Sequence, residues 1–176
     1  MKPLNSQNLL IASLLGLSTL FAGFYPLVKA QSEPKLGCQA TVNKVLQEIR
    51  SKGVRRVHWS ISKGTANEGT TGNPTNRTDV LNITFDSYNE TYTNTDPKSD
   101  SIIDNIVNSP ALMKSWTDKI VANCGNTAIV SFGIAQSDFS DSYYIQSDGT
   151  TKLMECPDGT PPSILPWGKE WGPQCS

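Results

Sequence analysis

Residues 39–62, QATVNKVLQEIRSKGVRRVHWSIS, change their hydrophobic period halfway along. Up to Lys52, the residues Val42, Val45, Leu46 and Ile49 recur at i, i+3, i+4 and i+7, the apolar stripe of an amphipathic helix. Gly53 is a natural stop just past its end. From Val54 to Ser62 the period becomes two: Val57, Trp59 and Ile61 alternate with Arg56, His58, Ser60 and Ser62, as in a strand with one face buried.

The same two periods organise the rest. Asp79 to Tyr88 alternates, with Leu81, Ile83 and Phe85 on one side and Asn82 and Thr84 on the other. Thr127 to Ala135 reads as a strand, and Ser142–Ser147 and Thr150–Cys156 flank Asp148-Gly149, the signal of a hairpin with a two-residue loop. Ser101 to Asn108 reads as a short helix. Ser109 as N-cap and Pro110 at the first helical position open a longer one to Asn123. Lys63–Thr78 has no periodicity and reads as a long surface loop; Thr91–Asp100, broken at Asp96-Pro97, reads as another. The order α-β-β-α-α-β-β-β predicts an α+β fold: an antiparallel sheet of about five strands with helices packed on one face. No internal repeat is present.

Parity then divides the sheet. If the helices cover Trp59, Ile61, Leu81, Ile83, Phe85, Val130 and Phe132, the opposite face carries His58, Ser60, Asn82, Thr84, Ser131 and one of Tyr143 and Tyr144. Such a face is either solvated or a binding surface. The Pro/Gly-rich tail, 157–176, with Trp167 and Trp171, is able to cross it.

The first thirty residues read as an address. Leu9–Phe24 carries no charge, Lys2 precedes it, and Val28 and Ala30 suit a cleavage site, the layout of a secretory signal peptide cut after Ala30. The domain proper is then 31–156, followed by the tail. An uncleaved helix is the rival, and it would be the chain's one membrane attachment. Secretion or a periplasmic location is expected. The whole chain has 176 residues, 15 Lys+Arg, 16 Asp+Glu and a mean hydropathy of −0.33. A charge near zero argues against nucleic acid as the partner.

Cys38, Cys124, Cys156 and Cys175 form an even set in a chain bound for an oxidising compartment, so two disulfides are expected. Of three possible connectivities, Cys38–Cys124 and Cys156–Cys175 are favoured: one joins the start of a helix to the end of another, the other closes the tail. No metal site is expected, because no C-x-x-C pair occurs and His58 is the one histidine.

No phosphate loop, dinucleotide fingerprint, HExxH or haem motif occurs, and no cofactor is expected. His58 could act as a general base with Ser60 or a nearby acid, although no G-x-S-x-G elbow is present. Trp167 and Trp171 could stack on a sugar or a partner side chain. The Arg50, Lys52, Arg55 and Arg56 cluster is either an anion site or a helix-end counter-charge. Asn76, Asn82 and Asn89 open glycosylation sequons. The residues together predict non-catalytic binding of a protein or glycan, outside the cell or at its envelope, through His58, Ser60, Asn82, Thr84, Trp167 and Trp171. A small secreted hydrolase using His58 is the alternative. Mass spectrometry of the native protein checks the address: an N-terminus at Gln31 is expected, and an intact Met1 would show that the segment is retained.

Overall fold

The computed structural model describes residues 37–88, 94–159, 162–171 and 175. The segment read as an export signal and the sequon at Asn89 lie outside the described residues. In chain order the elements are α1 (Cys38–Ser51), β1 (Arg56–Ser62), a 3-10 turn (Thr65–Asn67), β2 (Thr70–Thr71), β3 (Asp79–Asp86), α2 (Pro97–Val107), α3 (Pro110–Asn123), β4 (Thr127–Ile134), β5 (Ser140–Ile145), β6 (Thr151–Leu153) and β7 (Leu165–Pro166).

The main sheet has five strands in the order β1-β3-β4-β5-β6. The α+β class is therefore as expected, with one refinement. The sheet is mostly antiparallel, but β3 and β4 run parallel. The chain between them is α2 and α3, and a crossover of that kind is what returns a strand in the same direction.

Three local expectations need correction. Asp96-Pro97 is the start of α2 rather than a loop break: the Asp96 side chain accepts from the Lys98 backbone N–H at 3.2 Å, and Pro97 occupies the first turn. Lys63–Thr78 is not structureless, since it holds the 3-10 turn and β2, and β2 pairs in parallel with β7 of the tail. The hairpin between β5 and β6 has a three-residue loop. Gln146 N–H bonds to Thr150 O at 2.8 Å, Gly149 N–H to Gln146 O at 3.0 Å, and Gly149 takes φ +84°. That is a turn closed by a left-handed glycine, which the strand twist accommodates as well as a two-residue loop.

The core lies between the helices and one face of the sheet. Leu81, Ile83, Phe85, Val130, Phe132, Tyr143 and Ile145 meet Val42, Val45, Ile49, Ile103, Met113, Trp116 and Ile120. Phe132 is its centre, stacked on Phe85 with centroids 6.1 Å apart, tilted against Trp116 at 6.3 Å and edge-on to Tyr143 at 6.0 Å. The Tyr143 hydroxyl donates to Pro110 O at 3.0 Å, so its polar tip costs nothing in burial.

Two clamps fix the helices. Cys38, the first residue of α1, is bonded to Cys124, the C-cap of α3, across 86 positions of sequence. Further along the same two helices, Glu48 accepts from Trp116 Nε1 at 3.0 Å and from Lys119 Nζ at 2.7 Å. At the same C-terminal end of α3 as the bridge, Arg77 Nη1 reaches Val121 O at 2.7 Å, Thr127 O at 3.2 Å and Cys124 O at 3.4 Å. A guanidinium there satisfies carbonyls that the helix leaves open and opposes its negative end. The second bridge is Cys156–Cys175, 19 positions apart. Both pairings are those favoured from the sequence, and two formed disulfides indicate an oxidising environment, extracellular or periplasmic.

Removing the Phe132 ring should be costly because the rings around it come from three other elements and cannot all close inward. Phe132→Ala is expected to lose about 3–5 kcal/mol, read from urea unfolding. Loss of the Cys38–Cys124 pair should cost about 4–5 kcal/mol against about 3 for Cys156–Cys175, on loop-closure grounds.

Candidate functional site

The sheet's second face is where the candidate site forms. β4 puts Val130 and Phe132 into the core, so Ile129 and Ser131 point the other way; β5 does the same with Tyr143 and Ile145 against Ser142 and Tyr144. Register aligns Ser60, Asn82, Ser131 and Ser142 in one row across β1, β3, β4 and β5. The next row holds Val80, Ile129 and Tyr144, with Met154 nearby. The face is thus polar in one row and apolar in the next, and the apolar row is what the tail covers.

The tail is held down by specific contacts. Trp167 packs edge-on to Tyr144 at 6.0 Å, and its Nε1 donates to Ile145 O at 2.9 Å. Gly168 follows at φ +88°; a Cβ there would lie 2.5 Å from the Tyr144 ring, so only glycine lets the backbone pass. Leu165 N–H bonds to Gly69 O at 2.8 Å and Trp167 N–H to Thr71 O at 2.7 Å, zipping the tail to the β2 segment. Lys169 Nζ pairs with Glu155 at 3.1 Å, and the Cys156–Cys175 bridge ties down the far side.

Between this strap and the sheet is a groove of about 550 Å³. Its floor is Val80 and Asn82 of β3, Ile129 and Ser131 of β4, and Ser142 of β5. One wall is the segment from Thr65 to Thr70; the other is the tail, with Leu165, Lys169, Glu170 and Trp171. Trp171 keeps 46% of its surface exposed. The size falls in the range of small-ligand sites, as does the mix of apolar walls and a few convergent polar groups.

The floor carries a run of hydroxyls. Ser142 Oγ donates to Ser131 Oγ at 3.2 Å, Ser131 Oγ lies 3.2 Å from Ser140 Oγ, and Glu170 lines the same groove as Ser142. Burial pushes the Glu170 carboxyl above the ordinary glutamate range; Ser142 opposes that and the negative charge of Asp141 adds to it. Asp141 is itself raised by burial.

Of the six residues singled out from sequence, the structure brings two into the groove, Asn82 and Trp171. Ser60 shares their row on the edge strand but is exposed and does not line the groove. Trp167 anchors the strap. His58 and Thr84 pair across β1 and β3, one row further along. His58 Nε2 lies 3.6 Å from Asp86 Oδ2, and the imidazole is 61% exposed while the carboxylate is 2% exposed. Asp86 is engaged by Arg56 at 3.0 Å and by the Tyr88 N–H at 2.8 Å. That buried acid is the one the His58 reading lacked; among the described residues, no hydroxyl is hydrogen-bonded to the imidazole.

Three of the four cations in the basic cluster at the α1–β1 turn are engaged, and Lys52 is exposed. Arg50 reaches Val57 O at 3.5 Å, Arg55 pairs with Asp96 at 3.5 Å and Arg56 with Asp86. Among the described residues, no three His, Cys, Asp or Glu side chains gather as metal ligands would, and no helix is long and apolar enough to cross a membrane. Sequence reasoning missed Ser142 and Glu170. The first was available from parity once Tyr143 is given to the core; for the second, an acid between two tryptophans in an irregular tail, no periodic signal exists. No family model, curated protein or solved structure matches the chain.

Glu170 gives the site a pH signature. A carboxyl whose native pKa lies above its unfolded value, about 4.3, binds more protons when folded. It favours the fold in acid, and that contribution is lost as pH rises through the native pKa. Glu170→Gln should therefore be more favourable to the melting temperature, relative to the parent, at pH 7 than at pH 4. Equal differences at both pH values would refute a perturbed Glu170.

Proposed function

We propose that this chain is an exported, disulfide-stabilised domain that binds a small polar ligand without transforming it, in the groove between the outer sheet face and the tail. The observation that carries this reading is convergence. Side chains from three neighbouring strands and an exposed indole from the tail face one cavity of about 550 Å³. The apolar stretch at Leu9–Phe24 and the two disulfides support export, and the expected cleavage after Ala30 would release the domain with the strap attached.

The hydrolase reading keeps one specific observation in its favour, the His58–Asp86 contact at 3.6 Å. An imidazole backed by a buried carboxylate is the base half of a nucleophilic site. It lies outside the groove lining, however, and is mostly exposed to water.

Fragment screening by protein-observed NMR separates the two. Shift changes are expected at Asn82, Ser131, Ser142, Glu170 and Trp171, and His58→Ala should leave them unchanged. Hits gathered at His58, Thr84 and Asp86 instead, together with ester or amide hydrolysis abolished by His58→Ala, would replace binding with catalysis.

A further inference from the structure

We infer that the groove is a carbohydrate subsite, taking an uncharged pyranose ring between the Trp171 indole and the hydroxyl-bearing floor. The inference rests on the groove being a ligand site at all, and it specifies what fills it.

Charge excludes one large class. The ionisable groups lining the groove are Glu68, Lys169 and Glu170, and Lys169 is held by Glu155 at 3.1 Å and by Cys156 O at 3.2 Å. What remains is acidic, so phosphates, nucleotides and acidic sugars would be repelled rather than held. Backbone pairing excludes another. The floor is the face of a sheet whose strands are already paired, so an extended peptide finds no ladder of free N–H and C=O groups there.

The remaining features match a sugar. A pyranose has a C–H face that stacks on an aromatic ring and a rim of hydroxyls that each donate and accept. Trp171 offers an exposed indole. Asn82 offers a carboxamide, Ser131 and Ser142 offer hydroxyls, and Glu170 offers a carboxyl able to accept from ligand hydroxyls. Asn82, Ser131 and Ser142 occupy adjacent strands in one register row, so their spacing is set by the sheet and is rigid. Val80, Ile129 and Leu165 supply apolar patches among those polar groups, against which the C–H edges of a ring can pack.

The test is titration of the mature protein, bridges intact, with maltotetraose, cellotetraose, xylotetraose and chitotetraose, by calorimetry and protein-observed NMR. At least one should bind, with shifts at Asn82, Ser131 and Ser142. Trp171→Ala should weaken it at least about tenfold, the equivalent of about 1.4 kcal/mol, while Trp171→Phe recovers most of the affinity. Because Trp171 is exposed, both variants should fold, which unchanged melting temperatures would verify. Sugars that bind equally well to Trp171→Ala would overturn the inference. So would a panel that gives no binding while fragments still shift the groove residues, an outcome that leaves the groove as a ligand site of another chemistry. Silence from sugars and fragments alike would remove both readings.

Discussion

The structure turns on one imbalance: the helices cover a single face of a sheet whose two central strands carry apolar side chains on both. Val80 and Ile129 point away from the helices, and Tyr144 and Met154 lie on that same outer side. Left in water they would forfeit burial energy of about 25 cal/mol for each Å². Among the described residues no α-helix follows β4 to cover them; an irregular segment does. Its hold comes from few points: the Trp167 ring on Tyr144, the glycine that lets the backbone pass, a two-residue ladder with β2, and the terminal bridge. A cover held at few points leaves a gap over the polar row, and that gap is the groove.

Periodic segments were legible in the sequence and aperiodic ones were not. α1, β1, β3 and β4 announce themselves because Val42-Val45-Leu46-Ile49 and Leu81-Ile83-Phe85 repeat with the spacing of the structure they form. The parity of those strands assigns Asn82 to the outer face, where it lines the groove. Asp96-Pro97 misled because the same dipeptide suits a loop break and a helix start, and only the following apolar positions in three dimensions decide between them. β2 and β7, two residues each, have no period to read. The parallel pairing of β3 with β4 depends on where α2 and α3 lie down, which is a matter of packing rather than pattern. The site followed the same rule. Residues on strands were assignable to a face; Glu170 was not, and its role emerges only from the path of the tail. Asp86 shows the limit from the other side: its parity was plain, but its burial beside Arg56 and His58 is a property of the fold.

The two disulfides divide the work between them. Cys38–Cys124 joins helix ends beside the Arg77 cap, with the Glu48 clasp further along the same helix pair, so it acts on the half of the molecule that contains the core. Cys156–Cys175 acts on the half that contains the groove wall. Global stability and the integrity of the candidate site are thus secured by separate covalent bonds, each reinforced by its own polar contacts.

The alternation along β4 has a consequence for how such a protein can diversify. Ser131 sits between Val130 and Phe132, yet its side chain and theirs face opposite compartments. A change at Ser131, or at Asn82 and Ser142 beside it, reshapes the hollow without disturbing the aromatic interior a single residue away. Under the proposed binding role, drift at these positions would be filtered by what the hollow accepts more than by whether the chain still folds, and the same backbone could be retuned in small steps.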